Sequence, residues 1–350
     1  MKKILLLVSM ICMMVSMPVF AEETKRVISG GYAYAVLEDG TAKILKHFGS
    51  AAELDVPSEL DGYAVTSIGE NAFASYSRLS SITLPEGITS IGDSAFFQCT
   101  SLSSITLPDS IAAIGVNPFI CDNISFSVSP DHSYLAVIDG VLFSKPDKRL
   151  ISFPDTKEDY SVPNGIKIIG DYAFFNCKNL SNITLPEGIT SIGDYAFSNC
   201  WSLSSITLPE GITSIGDSVF GACTSLSSIT LPEGITSVED NAFISCTSLS
   251  SITLLEGVTS IGDSAFANCT SLSSITLPES ITSIGDSAFC ACTSLSSITL
   301  PEGLTSIGDD SFSGCNNMTI TVNRDSFAAE YCKEKGLNYT YPDANDWLNN

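Results

Sequence analysis

Leu226-Ser227-Ser228-Ile229-Thr230-Leu231-Pro232-Glu233-Gly234-Ile235-Thr236-Ser237-Val238-Glu239-Asp240-Asn241-Ala242-Phe243-Ile244-Ser245-Cys246-Thr247-Ser248 is one copy of a phrase that recurs along this chain. Close variants begin at Leu79, Leu102, Leu180, Leu203, Leu249, Leu272 and Leu295, and they follow one another at 23 residues within each unbroken run. A fixed period of this length specifies a solenoid, because one unit cannot bury its apolar side except against its neighbours. In the quoted coil Leu226, Ile229, Leu231, Ile235, Val238, Ala242, Phe243 and Cys246 are expected inside, while Ser227, Ser228 and Thr230 alternate outward on a strand. Pro232-Glu233-Gly234 makes the first corner, and residues 235–238 form a second short extended piece. Asp240 stands where a carboxylate would cap a short helix or 3-10 turn carrying Ala242 and Phe243.

Outward from this phrase the chain divides into expected segments. Residues 1–21 begin with Lys2 and Lys3, continue through a short apolar run and end at Ala21, which is the layout of a secretory signal peptide cleaved after Ala21. Residues 22–53 carry alternating apolar residues on either side of Asp39-Gly40 and read as an N-terminal β-hairpin cap. Repeats occupy 54–123, with a looser first coil that has Tyr76 in the cysteine position. The period then breaks: residues 124–160, around Asp139-Gly140-Val141-Leu142-Phe143, read as a β-hairpin insertion projecting from the stack. Repeats resume over 161–317. Residues 318–350 read as a C-terminal cap in which a strand and a helix cover the last edge.

The bulk numbers exclude whole classes of function. The net charge is −23, or −25 once Lys2 and Lys3 leave with the leader, so the surface repels nucleic acid and anionic membrane. After the leader, no stretch approaches the ~20 apolar residues of a membrane-spanning helix. The reading is therefore a secreted or cell-surface protein, with the periplasm as a further possibility. Twelve cysteines in an exported chain would ordinarily suggest a disulfide framework. Here Cys177, Cys200, Cys223, Cys246, Cys269, Cys292 and Cys315 recur at the repeat period, with Cys99 in the same place in its copy. They read as a ladder of buried free thiols, leaving the off-register Cys290 and Cys332 as the reactive candidates.

The pattern Leu-x-x-Ile-x-Leu-Pro-x-x-Ile-x-x-Ile-x-x-x-Ala-Phe-x-x-Cys resembles the BspA-like leucine-rich repeat family of bacterial, and some protist, secreted or surface proteins. The resemblance covers nearly the whole chain after the leader, the Asp139-to-Phe143 hairpin and the segment from Ser326 to Tyr331 included. It implies an α/β repeat: a leucine-rich-repeat solenoid with a parallel β-sheet, short helices or 3-10 turns, and hairpin and helical caps. For function it implies adhesion or binding to extracellular proteins, host cells or other bacteria, and it supplies no catalytic residues. No anchoring or immunoglobulin-like module of the larger adhesins is recognisable.

The residues themselves offer little chemistry. His47 and His132 are read as surface histidines, and no Ser-His-Asp, Cys-His or metal-binding cluster can be assembled around them. No catalytic residue, cofactor or metal is expected. The aspartates at 93, 171, 194, 217, 240, 263, 286 and 309 form a row read as helix caps, with a calcium array as the alternative. Glu86, Glu187, Glu210, Glu233, Glu256, Glu279 and Glu302 read as a solvated edge. The candidate binding surface is the outward strip of Thr184, Thr207, Thr230, Thr253, Thr276 and Thr299, whose short hydroxyl side chains lose little entropy on binding. It would take an extracellular protein or a glycan; ordering of water or ice, or a merely soluble face of a β-branched strand, are the alternatives. Departures from the repeat add Trp201, Tyr195 and Tyr172 as possible anchors beside the insertion. The reading is a non-enzymatic binding or adhesion module. A structural or self-associating surface protein is the alternative, and an enzyme with an unrecognised site is a lesser one.

Overall fold

A computed structural model describes residues 26–120 and 123–342. The expected leader and Cys121 lie outside those residues, as do the last residues of the C-terminal segment. The chain opens with a three-stranded antiparallel meander, Arg26–Ser29, Tyr32–Val36 and Ala42–His47. Its second turn is the expected one at Asp39-Gly40, where Asp39 Oδ1 accepts from Thr41 N at 2.9 Å. The third strand then pairs in parallel with Tyr63–Ile68, and this contact converts a meander into the first layer of a stack.

Each regular coil contributes a three-residue strand, mostly Ser-Ile-Thr, to one face of the stack, as Ser81–Thr83 and Ser104–Thr106 do. A second strand of two residues, such as Ser90–Ile91 or Ser260–Ile261, joins a second parallel sheet. Only the middle residue of the Ser-Ile-Thr strand is buried, as a period of two on a half-solvated sheet requires. Inside, Phe174, Phe197, Phe220, Phe243, Phe266 and Phe289 form a continuous column, each less than 2% exposed. Neighbouring rings lie nearly parallel, with Phe243 and Phe266 5.3 Å apart at 3°. Burying each ring contributes about 1.5–3 kcal/mol. The column exists only because the copies are in register.

The turn that closes each coil differs from expectation. Over Asp240 to Cys246 there is no helix: Asn241 and Ser245 take left-handed φ values of 56° and 59°. Alternate N–H groups leave the coil, with Asn241 N, Phe243 N and Ser245 N donating to Asp263 O, Ala265 O and Ala267 O at 2.7–2.8 Å. A helix would return every N–H to its own turn, whereas here the next coil takes half of them. Among the described residues the one α-helix is Phe327–Lys335, with Ser326 as its N-cap and a left-handed Gly336 at its end.

The aspartate row is likewise not a row of helix caps. Asp240 Oδ1 accepts from Asp263 N, Asp263 Oδ1 from Asp286 N, and Asp286 Oδ1 from Asp309 N, each at 2.7 Å. Each carboxylate is a strut to the following coil. Asp309, with no coil after it, meets Lys335 Nζ of the terminal helix at 2.8 Å instead. The close approach explains the glycine that precedes every aspartate of the row except Asp240, which follows Glu239: a Cβ on Gly285 would lie 2.4 Å from Asp263 Oδ1.

Residues 124–160 do not project. Ser125–Ser127 extends the first sheet, pairing with Ser104–Thr106. Leu135–Ile138, Val141–Ser144 and Arg149–Ser152 then form a second antiparallel meander, whose last strand pairs in parallel with Ile168–Ile169. Leu135, Leu142 and Ile151 belong to the core of the preceding stack, and Val141, Phe143, Leu150 and Phe153 to that of the following one. The consecutive apolar residues Val141-Leu142-Phe143 are what a strand buried on both faces requires. The meander is a septum between two stacks.

Candidate binding surface

The threonine strip stands on the Ser-Ile-Thr sheet. Thr184, Thr207, Thr230, Thr253, Thr276 and Thr299 are all exposed, and register holds neighbours side by side, with Thr207 opposite Thr230 and Thr253 opposite Thr276. Serine hydroxyls next to the strip are spent on the scaffold: Ser227 Oγ donates to Ser204 O at 3.4 Å, and Ser250 Oγ to Ser227 O at 3.3 Å. Among the described residues no protein group engages the hydroxyls of the six threonines. They remain open as donors and acceptors.

The strip is also creased. Ser228–Thr230 ends one sheet and Ser251–Thr253 begins another, and a groove of about 400 Å³ opens between them. Thr230 and Thr253 line its walls together with Leu255, which occupies the corner where other coils have proline, as at Pro232 and Pro278. Leu255 is not among the candidate residues read from the sequence, where its signal is the departure from the Leu-Pro-Glu phrase.

The aromatic candidates lie elsewhere on the coil, in the closing turns. Tyr172 and Tyr195 stack at 4.7 Å and 3°, both half-buried, and Tyr172 meets Phe175 edge-on at 5.5 Å. Trp201 is 46% exposed and carries the Lys178 ammonium 5.0 Å from its ring centre. The structure therefore gathers the threonines into one surface and the tyrosines into another, with Trp201 paired to a lysine.

Neither histidine is a plain surface residue. His132 is 1% exposed; its Nδ1 accepts from Tyr134 N and Leu135 N at 3.1 Å, which assigns the proton to Nε2, 3.2 Å from Pro108 O. His47 is half-buried against Tyr32, Tyr76 and Phe73 at 4.7, 5.5 and 6.0 Å, and burial lowers its pKa. The ladder cysteines are free and buried, and each thiol donates to a phenylalanine carbonyl one coil back, as Cys246 Sγ does to Phe220 O at 3.0 Å. Burial pushes the thiols of Cys200, Cys223, Cys246, Cys269, Cys292 and Cys315 up, Cys315 to about 11. Cys332, expected to be reactive, is also fully buried and raised to about 11 by desolvation. Cys290 is half-exposed.

Burial, then the neighbouring Asp194, raises the pKa of Asp171, and Asp217 is raised for the same two reasons. Among the described residues no group of three or more His, Cys, Asp or Glu is placed to hold a metal ion, and no helix is long and apolar enough to cross a membrane.

Sequence and structure comparisons point one way. The BspA type leucine rich repeat region matches residues 58–159, 152–272 and 214–332. No curated protein matches the chain. Among solved structures, a leucine-rich repeat protein from Eubacterium ventriosum is similar at 24% identity and a TM-score of 0.63, over 83% of this chain and 95% of that one. A leucine rich cell surface protein from Faecalibacterium prausnitzii is similar at 26% identity and a TM-score of 0.52, over 72% and 94%. The pneumococcal vaccine antigen PcpA shares the fold at 17% identity and a TM-score of 0.50, over 91% and 98%.

Proposed function

The chain belongs to the BspA-type leucine-rich repeat family, and from that membership we propose that it is a non-enzymatic binding or adhesion module which docks an extracellular protein or glycan on its threonine strip. The observation that carries the reading is the row of exposed hydroxyls, in register at Thr207 and Thr230 and at Thr253 and Thr276, which among the described residues have no partner, with a groove between Thr230 and Thr253. Short β-branched side chains on a sheet are already ordered, so little entropy opposes docking. The similarity to a leucine rich cell surface protein of Faecalibacterium prausnitzii supports a site of action outside the cell. Export by a leader cleaved after Ala21 belongs to the same reading, and the N-terminal sequence of the secreted protein tests it.

The binding test is an array of matrix proteins, host-cell glycans and bacterial surface polymers probed with residues 22–350. Saturable capture, weakened at least tenfold by Thr230→Lys combined with Thr253→Lys, is expected. Absence of saturable capture, or capture that ignores both substitutions, refutes the strip as a docking surface. A second reading, self-association, is favoured by the edge strand Arg26–Ser29, on which Ile28 is 68% exposed. Light scattering that shows mass rising with concentration, reversed by Ile28→Lys, would support it.

A further inference from the structure

The groove in the threonine strip coincides with the corner that departs from the repeat. Ser228–Thr230 pairs with Ser205–Thr207 and Ser251–Thr253 with Ser274–Thr276, but these two strands are not paired with each other. The coils are held where the strands begin, by Ser250 N donating to Ser227 O at 3.2 Å, and the groove of about 400 Å³ lies over the unpaired residues that follow. Its size falls within the range of about 300–1,000 Å³ typical of ligand sites.

Leu255 makes this groove unlike the rest of the strip. The other corners of the leucine-proline type, from Pro85 to Pro301, all have proline at this position. Leucine keeps the turn, since Val258 N donates to Leu255 O at 3.3 Å as Ile281 N does to Pro278 O at 3.2 Å. It adds two things: a branched apolar side chain, half-buried at the groove wall, and the backbone N–H that proline lacks, which donates to no described residue. Buried Ile229 and Ile252 complete an apolar lining under a rim of hydroxyls.

The corner beside the groove is acidic. Glu233 follows Pro232 and Glu256 follows Leu255, both exposed, and residues 179–323 contain no lysine, arginine or histidine to offset them. We propose that the groove is an anchor pocket for a protein segment in which a large apolar side chain stands next to lysine or arginine, which rests on the strip being the docking surface. The apolar side chain displaces water from Leu255, Ile229 and Ile252, a backbone carbonyl of the segment accepts from Leu255 N, and the cation meets Glu233 and Glu256. A glycan carries no such neighbouring pair of apolar and cationic groups, so a protein segment is the occupant.

The test pans a library of random dodecapeptides displayed on phage against residues 22–350 and titrates the enriched peptides by calorimetry. Enriched sequences are expected to place Leu, Ile, Phe or Trp beside Lys or Arg. Leu255→Pro, which copies the other corners, should weaken their binding at least tenfold while circular dichroism and the urea midpoint stay those of the parent. Leu255→Ala, which keeps the N–H and leaves the turn free of proline, should weaken it at least threefold, as should Glu233→Gln combined with Glu256→Gln. Enrichment of no peptide, enrichment of sequences without a basic residue, or affinity that survives both Leu255 variants overturns the proposal. Array capture that falls with Thr230→Lys and Thr253→Lys yet ignores Leu255→Pro strikes the pocket and keeps the strip, whereas an array without saturable capture strikes the strip itself.

Discussion

The stack before residue 124 and the stack after it are made from the same coil, and each starts the same way. In both, a three-stranded antiparallel meander hands its last strand to a parallel sheet: Ala42–His47 to Tyr63–Ile68, and Arg149–Ser152 to Ile168–Ile169. The first residues beyond the regular ladder also match, since His47 N donates to Ala72 O at 3.0 Å and Phe153 N to Ala173 O at 2.9 Å. The stacks differ in regularity. The second keeps every cysteine and aspartate in place, whereas the first has Tyr76 in the cysteine position and Glu70 and Val116 in the aspartate position. It also begins its aromatic column with His47 where the second has Phe153. Repetition thus supplies stacking, while the starting layers give each stack its own sensitivities.

The septum offers the sharpest way to break the comparison, because its neighbouring side chains enter different cores. Leu142→Ala removes a fully buried side chain from the first core, and Phe143→Ala one from the second. Losses of about 2–5 and 3–5 kcal/mol are expected. Hydrogen exchange read by mass spectrometry should show faster opening in peptides from residues 26–120 for Leu142→Ala, and in peptides beyond residue 161 for Phe143→Ala. If either substitution accelerates both regions equally, the septum joins one core rather than dividing two.

Acid should separate the stacks next. His47 has its pKa lowered by burial from the ordinary 6.5, so the folded form prefers the neutral ring and stability is lost as pH falls below 6.5 through that lower value. Asp171 and Asp217 are shifted the other way, raised from 3.8. The folded chain holds their protons where the unfolded chain has released them, so the penalty present at neutral pH is relieved as pH falls through their folded values. Between pH 6.5 and about 4 the first stack should therefore loosen while the second tightens. His47→Phe, which copies Phe153, should abolish the loosening; acid-dependent exchange in residues 26–120 that persists in this variant would assign it to another group.

Much of the fold is legible in the sequence, and the features that are not share a cause. Alternation and period alone place Leu226, Ile229, Phe243 and Cys246 in the interior, and they are buried. Asp240 ahead of Ala242-Phe243 looks like a helix cap because its true partner, the N–H of Asp263, is one coil away in space and 23 residues away in sequence. Val141-Leu142-Phe143 reads as a strand, but only the presence of apolar layers on both sides shows that it is a septum. His132 is buried through contacts with Pro108 O of an earlier coil and with its own loop. The strip is visible as a pattern; the crease at Leu255 arises where a local departure meets the neighbouring coil. Contacts between copies are what a single copy cannot announce.

A smaller effect is expected where regularity itself is tested. Asp263→Ala removes one strut from the middle of the aspartate row, where the carboxylate is solvent-exposed and bonds a single N–H. A loss of about 1 kcal/mol or less in urea unfolding is expected, with Asp263→Asn close to the parent because its amide oxygen can accept the same bond. An equal loss in both variants would show that charge, rather than the acceptor, matters at this position.

The smallest expected effect on stability is the one most informative about function. Thr276 is exposed, its neighbour Ile275 carries the burial, and among the described residues its hydroxyl takes no partner. Thr276→Ala should therefore leave stability within about 0.5 kcal/mol, measurable as an unchanged urea midpoint. The regular core explains Ile275 and Phe289 completely, but it gives no reason for a hydroxyl at Thr276 beyond solubility and strand preference. If the substitution leaves folding untouched and weakens capture on the array, the threonine is retained for what it meets outside the protein. A clear fall in the urea midpoint would instead make the strip part of the scaffold.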